Sequence, residues 1–395
     1  MELVLQLAPT PVGDAYRLAE LAQWPDEMYP LELFLCRGCG HAQLLDVLDA
    51  EVLYSHFLYE TSISLGLVEH FKGYAEDVLR RVQPPAASLV VDIGSNDGTL
   101  LGFFQARGFR TLGVDPAREI AQKATARGVE TLATFFTAEL ARRLRRERGS
   151  AMIVTTNNTF ANVDDLADMV EGIRALLAPE GVFVFESFYL VDLIQHMVFD
   201  FLYHEHLSSF SVRPLVPFFR RHGMELIDAQ RVPTKGGSLR YTVQQAGGPH
   251  AVSPAVGEFI ALEQRLGLDR GQPFPAFVNN INTAKAQLLS LLRDLKVQGK
   301  MIAGYGASAT STVLIYHFAL AEFLSFLVDD NPQRQNLFSP GHHIPVLASQ
   351  ALDDRKPDAT LILAWRYAEP IRTRHQTYVD QGGHFIVPLP TLAVI

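Results

Sequence analysis

Short apolar runs alternate with amphipathic helical stretches through the middle of the chain. Residues 88–93 (SLVVDI) form an apolar, β-branched run, a glycine-rich turn follows at 94–98, and a helical pattern continues over 99–107. The alternation then recurs, with strands predicted at 111–115, 151–155 and 181–186 and helices predicted at 119–127 and 166–177. This order of elements predicts a parallel sheet wrapped by helices.

A second block of the same kind lies near the C-terminus. An apolar run from residue 300 meets a glycine turn at 304–306, and a helical pattern follows. Further strands are predicted at 323–328, 359–363 and 384–390. The block therefore predicts a second, smaller α/β domain.

The segments between and before these blocks complete the domain plan. Residues 191–247 change character, and we expect them to cap the first sheet, whereas the helical stretch 252–298 leads into the second block. We predict an α/β fold with two Rossmann-like, doubly wound domains and a small N-terminal segment. The predicted boundaries are 1–55, 56–250 and 251–395.

Composition and charge narrow the class of protein. Of the 395 residues, 48% are hydrophobic and 19% charged, which is typical of a packed globular chain. The net charge of −9 argues against nucleic acid as a partner. The most apolar long stretch, 313–328, contains His317 and Glu322 and is shorter than the ~20 residues of a membrane span. With no membrane partner and no secretory start, we expect a cytoplasmic protein.

The first glycine turn predicts a nucleoside-containing cofactor. The next strand ends at Asp115, where a carboxylate suits a ribose diol. Asp92, before the turn, would repel a pyrophosphate, which favours a cationic sulfonium cofactor over a dinucleotide. The predicted cofactor-binding residues are Asp92, Gly94, Ser95, Asn96, Gly98, Asp115 and Asn158.

Segments spread over nearly the whole chain resemble a known family. VVDIGSNDGTLL, FLYHEHLSSFS, KGGSLRYTV and IAGYGASAT together are similar to the S-adenosylmethionine-dependent C-methyltransferases that act on nucleotide-linked 4-keto-deoxysugars. The joint occurrence of YHEH and GYGAS in this order makes the resemblance specific. It implies S-adenosylmethionine as cofactor, a small-molecule sugar nucleotide as substrate, and methylation at C3 through a base-generated enolate.

The YHEH segment carries the expected catalytic residues. In an extended stretch Tyr203 and Glu205 would face one way, and His204 and His206 the other. The resemblance implies that His206 is the base, with Tyr203 and Glu205 supporting the enolate, and that Tyr59 also reaches the site. Two other interpretations stay open. His204 and His206 could bind a metal, or the two histidines could be surface residues or hydrogen-bonded core residues.

The resemblance also assigns the sugar nucleotide to the second glycine turn. Its expected ligands are Ser238, Arg240, Gly306, Ala307, Ser308, Asn331 and Arg366. The chain departs from the family at Asn162, where a histidine is common, and at Thr310 and Ser311, which replace a lysine and a glycine. Because asparagine does not titrate, the acid–base work would fall on His206.

Cys36 and Cys39, the chain's two cysteines, form a CxxC pair. The resemblance implies one half of a structural zinc site that the family completes with a second CxxC pair. That pair is missing here, and we expect a shortened N-terminus, with His41 as the nearby replacement ligand. Bound zinc and two reduced, buried thiols both remain open.

Two rival functions use the same motifs. The first is an NAD-dependent sugar-nucleotide oxidoreductase whose GYGAS turn binds the dinucleotide, although Gly304 and Gly306 lack the third glycine of the usual fingerprint. The second is a non-catalytic sugar-nucleotide-binding module, which the departures at Asn162 and Thr310 would permit. The titratable YHEH segment favours the enzyme.

Overall fold

The computed structural model describes residues 1–21, 24–54, 60–63 and 66–395, and its N-terminal part is a small antiparallel sheet. The elements are β1 (Glu2–Thr10), β2 (Tyr29–Leu35), β3 (Ala42–Gln43) and the short helix α1 (Ala50–Tyr54). β1 and β2 bury alternate side chains, among them Leu5, Leu31 and Leu33. This alternation is typical of strands with one face against a core.

The central part begins with a parallel, helix-wrapped sheet. Its elements are α2 (Leu67–Val82), β4 (Leu89–Ile93), α3 (Thr99–Gln105), β5 (Arg110–Asp115), α4 (Arg118–Ala126), β6 (Thr131–Ala133), α5 (Ala138–Arg148), β7 (Ala151–Asn157), α6 (Leu166–Leu176) and β8 (Leu177–Phe188). Every residue of β4 is buried, because helices cover both faces of the sheet. The sequence pattern missed β6 and α5.

Antiparallel strands complete this sheet. The next elements are α7 (Leu190–Gln195), β9 (Ser208–Ser209), α8 (Val212–Arg221), β10 (Met224–Val232) and β11 (Ser238–Gln245). The seven strands have the order β10-β11-β8-β7-β4-β5-β6, with β11 antiparallel to β8. β10 and β11 therefore extend the first sheet and do not cap it, because the free edge of β8 pairs with β11 along its length.

The C-terminal part is a second doubly wound sheet. Its elements are α9 (Pro254–Arg265), α10 (Phe274–Val297), β12 (Ile302–Tyr305), α11 (Ala309–His317), β13 (Phe326–Asp329), β14 (Val346–Ala348), α12 (Ala351–Arg355), β15 (Ala359–Ile362), α13 (Ala368–Arg374), α14 (Gln376–Asp380), β16 (His384–Val387) and β17 (Ala393–Val394). The strand order is β14-β13-β12-β15-β16-β17. The helical stretch predicted at 252–298 divides into α9 and α10, because Gly267 and Gly271 take left-handed φ angles of 62° and 68° between them.

Three connections join these parts. β9 pairs with β3, so that the YHEH segment continues directly into the N-terminal sheet. The Thr312 hydroxyl donates to the Gly13 carbonyl at 2.8 Å, joining α11 to the N-terminal part. In both large sheets the strand order reverses beside a central strand, β4 or β12, and ligands bind at such positions outside the carboxyl ends. No helix in the described ranges is long and apolar enough to cross a membrane.

Candidate active site

A cavity of about 960 Å³ lies between the two glycine turns. Its walls come from the carboxyl ends of both large sheets, from the YHEH segment and from the N-terminal part. Of the residues predicted from sequence, the cavity is lined by Asp92, Gly94, Ser95, Asn96, Asp115, Asn158, Tyr203, Glu205, His206, Gly306, Ser308, Asn331 and Arg366. A cavity of this size accommodates two small-molecule ligands side by side.

Gly94 makes the first turn geometrically possible. Its φ of 72° lies in the left-handed region, and a Cβ at this position would lie 2.8 Å from Thr159 Cγ2. Asn96, with φ of 50°, continues the turn. The backbone of the turn thus lies open to the cavity beside the start of α3, where backbone N–H groups favour an anionic or polar ligand.

Asp115 fixes this turn through its carboxylate. One carboxylate oxygen accepts from the Asn96 N–H at 2.8 Å and the other from the Ala117 N–H at 2.9 Å. Burial raises the pKa of Asp115, and these two hydrogen bonds partly oppose the shift. Each carboxylate oxygen retains a second lone pair, so Asp115 can also accept from the hydroxyl groups of a ribose.

Asp92 lies beneath the same turn. It is 4% exposed and accepts a hydrogen bond from the Thr155 hydroxyl at 2.6 Å. Burial raises the pKa of Asp92 to about 7. The cavity thus combines the glycine turn, an acceptor for a ribose and buried carboxylates. These groups fit S-adenosylmethionine, because its sulfonium and amino groups are cationic.

Asn158 belongs to the loop after β7. Its φ of 55° turns the chain, and its N–H donates to the Glu186 carbonyl at 2.8 Å. This bond ties the ends of β7 and β8 together at the cavity wall. Asn158 therefore lies on the opposite side of the glycine turn from Asp115.

The YHEH segment forms a turn, and the extended arrangement predicted for it is wrong. The His206 N–H donates to the Tyr203 carbonyl at 2.8 Å, which closes the turn. As a result Tyr203, Glu205 and His206 all line the cavity. The His204 ring instead points away from the cavity, with Nε2 3.0 Å from the Pro30 carbonyl oxygen.

His206 is held in one tautomer by its surroundings. Its Nδ1 lies 2.7 Å from the Phe201 carbonyl oxygen, and a carbonyl only accepts, so Nδ1 carries the proton. The Tyr203 ring packs on the imidazole with ring centroids 4.0 Å apart. Burial lowers the pKa of His206 to about 3. The ring is therefore neutral near pH 7, with a lone pair on Nε2.

The pKa of Glu205 is displaced in the opposite direction from that of His206. Burial, together with the nearby charge of Asp14, raises the pKa of this carboxyl to about 8. Near pH 7 Glu205 is therefore mainly protonated and can donate a hydrogen bond. Neighbouring groups with pKa values displaced in opposite directions are typical of acid–base sites.

The expected tyrosine at position 59 lies outside the described residues. A different phenol, Tyr54 of α1, lines the cavity together with Asn162, and the two side chains lie close to each other. Burial raises the pKa of Tyr54. Asn162 therefore lies at the cavity wall, where it interacts with a neutral hydroxyl group.

The second glycine turn repeats the design of the first. Asp329, at the end of β13, accepts from the Ala307 N–H at 2.7 Å and from the Asn331 N–H at 2.7 Å. The buried Arg334 side chain donates to the Ala307 carbonyl and pairs with Asp14 at 2.6 Å. Both backbone polar groups of Ala307 are thus occupied, and this residue does not line the cavity.

Ser308 and Arg366 take different positions around this turn. The Ser308 hydroxyl accepts from the Ser311 N–H at 3.3 Å and caps α11. Arg366 Nη1 lies 2.8 Å from both carboxylate oxygens of the fully buried Asp200, to which the Trp365 indole also donates at 3.1 Å. Arg366 therefore links the C-terminal domain to the segment that supplies the Phe201 carbonyl.

Besides Ala307, three predicted site residues lie outside the cavity wall. Gly98 starts α3, and a Cβ there would lie 2.9 Å from Val129 Cγ1. The Ser238 hydroxyl donates to the Thr234 carbonyl at 3.1 Å. Arg240 is buried in the sheet, where it pairs with Glu186, so neither Ser238 nor Arg240 lies between the two domains as expected.

The cavity also contains charged residues that the sequence patterns did not single out. His70 comes from α2, Lys235 from the loop before β11, and Asp14 and Arg334 from distant parts of the chain. Lys235 belongs to the KGGS segment and has a left-handed φ of 55°. Its position in that segment was a usable signal, whereas His70 and Arg334 have no local pattern.

The two cysteines lie away from this cavity, in the turn between β2 and β3. Cys36 is half-buried and Cys39 exposed, so the thiols are not fully buried. Backbone N–H groups of Cys39 and Gly38 lower the pKa of the Cys36 thiol. His41 points elsewhere, with Nε2 3.2 Å from the Ser208 hydroxyl. No three potential metal ligands cluster within the described ranges, so these residues do not form the four-ligand site of a structural zinc.

Three family models match the chain in succession. They are described as a putative zinc binding domain at residues 1–54, a methyltransferase domain at 67–229 and a C-methyltransferase C-terminal domain at 233–390. Fold and site together thus define an S-adenosylmethionine-dependent methyltransferase, which confirms the predicted α/β class and cofactor.

The similar proteins identify the family more closely. C-methyltransferase NovU from Streptomyces niveus is 34% identical over 371 residues, covering 94% of this chain and 88% of the relative. The chain therefore belongs to the C-methyltransferase family that includes NovU. This membership favours the methyltransferase over the two rival functions.

Two similar solved structures each match about half of the chain. 1,6-Didemethyltoxoflavin-N1-methyltransferase from Burkholderia thailandensis is 20% identical, covers 52% of this chain and 96% of its own, and has a TM-score of 0.38. An S-adenosylmethionine-dependent methyltransferase from Clostridium acetobutylicum is 14% identical, covers 46% and 92%, and has a TM-score of 0.37.

Proposed function

We propose that this C-methyltransferase methylates a nucleotide-linked 4-keto-deoxysugar at C3, the carbon next to the ketone. The central domain would hold the cofactor and the C-terminal domain the nucleotide. The observation that carries the proposal is His206, whose Nδ1 is fixed by the Phe201 carbonyl at 2.7 Å while its ring lines the cavity between the two glycine turns. A fixed neutral imidazole in this position has an unprotonated Nε2 that can accept the proton of a carbon acid.

His206 takes the proton from C3 at Nε2 in this mechanism. The electron pair of the C3–H bond becomes the C3–C4 double bond of the enolate, and negative charge develops on the C4 oxygen. The Phe201 carbonyl and the enolate both stabilise the imidazolium that forms. S-adenosylmethionine, when bound, supplies the electrophilic methyl group.

Glu205 and Tyr203 support the developing oxyanion. Because burial raises the pKa of Glu205 to about 8, its carboxyl group can donate to the C4 oxygen near pH 7. The Tyr203 hydroxyl provides a second donor, and its ring keeps the His206 imidazole in place. Preorganised donors of this kind account for a large share of enzymatic rate enhancement.

The nucleotide end of the proposed substrate is anionic, and the second half of the cavity is lined by basic as well as acidic residues. Lys235, Arg334 and Arg366 all line this half. Lys235 thus offers an ammonium group to the diphosphate, although Thr310 and Ser311 replace the lysine and glycine of the family. A lysine from the central domain takes the place of one expected from the C-terminal domain.

The proposal is tested by two assays on the His206→Asn variant. Asparagine keeps a donor near the position of Nδ1 but has no group in place of Nε2. Solvent deuterium exchange into C3 of a dTDP-4-keto-6-deoxysugar is measured with S-adenosylhomocysteine present, and methyl transfer is measured with labelled cofactor. We expect both to fall by at least about 100-fold, with S-adenosylhomocysteine binding unchanged.

His204→Asn is the matched control, since this neighbouring histidine faces Pro30 and not the cavity. Thermal unfolding establishes that both variants are folded. Retention of exchange in His206→Asn would overturn the role of the base. Absence of exchange and methyl transfer in the wild-type protein, with intact cofactor binding, would overturn the substrate class.

A further inference from the structure

The basic side chains that line the cavity are divided unevenly between its two ends. Among the described residues that line it, five carry a basic side chain. Four of these, His206, Lys235, Arg334 and Arg366, belong to the YHEH segment, the KGGS loop and the C-terminal domain. His70 is the remaining one, and it faces the end where the cofactor-binding strands β4 and β5 terminate.

His70 is held by a buried carboxylate. Its Nε2 lies 2.7 Å from Glu186 Oε2, and Glu186 is 2% exposed. The other oxygen of Glu186 accepts from Arg240 Nε at 2.7 Å, and Arg240 also pairs with Asp77 at 3.1 Å. Arg240 further packs on the Tyr74 ring at 4.3 Å. This network fixes the imidazole on the cavity wall, with Nε2 taken by Glu186 and Nδ1 left for another partner.

The strand order shows which part of the cofactor lies nearest to His70. Along the carboxyl edge the strands follow the order β6-β5-β4-β7-β8. A ribose at Asp115 of β5 has the apolar Phe135 and Phe136, which follow β6, on one side. On its other side lie the glycine turn, Asn158 and then Glu186 with His70. Since adenine prefers the apolar side, the methionine end extends toward His70.

The methionine end bears an α-carboxylate that enters a region rich in acidic groups. Asp92, Asp115 and Glu186 all lie at this end of the sheet. A donor that carries positive charge stabilises an anion there more than a neutral donor does. Arg240 is not available to it, because both Glu186 and Asp77 already pair with its guanidinium.

We propose that His70 binds the α-carboxylate of S-adenosylmethionine through Nδ1, with Glu186 positioning the imidazole. In this arrangement both ring nitrogens of His70 donate a hydrogen bond, Nε2 to the Glu186 carboxylate and Nδ1 to the carboxylate of the cofactor. The residue thus confers selectivity for ligands that retain the carboxylate. The inference rests on the cofactor lying in this cavity and is independent of the identity of the sugar.

Calorimetric binding of two ligands tests the inference. The first is S-adenosylhomocysteine, and the second is S-adenosyl-3-thiopropylamine, which is the same molecule without the carboxylate. In His70→Ala we expect affinity for S-adenosylhomocysteine to fall by about 10-fold to 100-fold, as for the loss of a charge-assisted hydrogen bond. Affinity for the decarboxylated ligand should change by less than about 2-fold.

His70→Gln guards against a folding defect, because its side-chain amide can still donate to Glu186. We expect the same selective loss in this variant, since glutamine supplies no charge. His250→Ala is the matched control: this histidine of the same domain lies 3.3 Å from the Glu180 carbonyl oxygen, outside the cavity wall, and its loss should alter neither affinity.

The outcomes separate the hypotheses. Equal weakening of both ligands in the two His70 variants would assign a purely structural role to His70 and overturn the inference, as would unchanged affinity for both. Failure of the wild-type protein to bind S-adenosylhomocysteine would overturn the placement of the cofactor itself. The substrate proposal fails separately, through loss of deuterium exchange in a protein that still binds the cofactor.

Discussion

The two glycine turns of this protein share one backbone device and differ in the side chains around it. In each turn an aspartate at the end of the second strand accepts two backbone N–H groups, Asp115 at 2.8 and 2.9 Å and Asp329 at 2.7 Å twice. The first turn is surrounded by buried acidic groups. Around the second turn the basic residues Lys235, Arg334 and Arg366 line the cavity as well as acidic ones. The two turns therefore share one backbone geometry, and we propose that the side chains around each turn select its ligand.

Removal of the ion pair between Asp200 and Arg366, which links the C-terminal domain to the segment before YHEH, should have the largest effect on stability. Asp200 is fully buried and accepts from Arg366 and Trp365. In Asp200→Ala the Arg366 charge loses its buried partner, and we expect about 3–5 kcal/mol less unfolding free energy. Urea denaturation measures this change. A loss below about 1 kcal/mol, as for an exposed ion pair, would contradict it.

A pair of aspartate variants tests whether each turn serves its own ligand. In Asp115→Ala we expect S-adenosylhomocysteine to bind about 10-fold to 100-fold more weakly while affinity for dTDP is retained, because a charged acceptor is lost. Asp329→Ala should show the reverse. Calorimetry of each variant with both ligands makes the comparison. If both ligands weaken together in either variant, the two sites are not separate.

Replacing the turn glycine by alanine should lower the free energy of unfolding more in the first turn than in the second. Both residues have positive φ, 72° at Gly94 and 106° at Gly306. The added methyl group would meet three Thr159 atoms in Gly94→Ala but chiefly Ala364 in Gly306→Ala. We expect losses of about 1–3 kcal/mol, with the larger loss at Gly94. Thermal unfolding ranks the variants, and the reverse order would contradict the geometry.

The pH dependence of turnover reports on Glu205. Its folded-state pKa of about 8 lies above its ordinary value, so the donor form is present at lower pH and is lost as pH rises through about 8. We expect kcat to fall on that alkaline side by about tenfold per pH unit. Glu205→Gln, which donates at any pH, should remove this limb of the profile. Persistence of the limb in this variant would assign it to another group.

Metal removal should have the smallest effect on either turn. Within the described ranges no third metal ligand stands with Cys36 and Cys39, and neither cysteine lines the cavity. We therefore expect a chelator to leave affinity for both S-adenosylhomocysteine and dTDP unchanged. Isothermal titration before and after dialysis against the chelator checks this. A loss of binding would show that a metal supports the site from a distance.

Local patterns predicted much of the first turn, because its parts lie close together in sequence. Gly94 follows β4, and Asp115 ends the next strand, β5. The hydrogen bond between Asp115 and the Asn96 N–H spans only 19 residues. His70 and Glu186 lie 116 residues apart, and no periodicity reports such a pair. The same holds for Asp14 and Arg334, which meet only because the N-terminal part packs against the C-terminal domain. The strand β8 was predicted at 181–186, but its pairing with β11 was not.

The YHEH segment also shows what a sequence pattern leaves open. Alternation of side chains would separate Glu205 from His206, but a hydrogen bond between residues 203 and 206 turns both toward the cavity. Burial then sets their ionisation, and burial depends on the packing of all three parts of the chain. The residue types were therefore predictable, whereas their protonation states depend on the assembled fold.

The anchoring of this segment has a consequence for engineering new sugar specificity. Asp200 is bonded to Arg366 of the C-terminal domain, His204 contacts Pro30, and Ser209 pairs with Ala42 of β3. A C-terminal domain transplanted from a relative would bring its own partner for position 200, mismatched to the recipient. Chimaeras made by exchanging this domain should therefore carry residues 199–209 from the same donor as the domain, so that base and nucleotide pocket are inherited together.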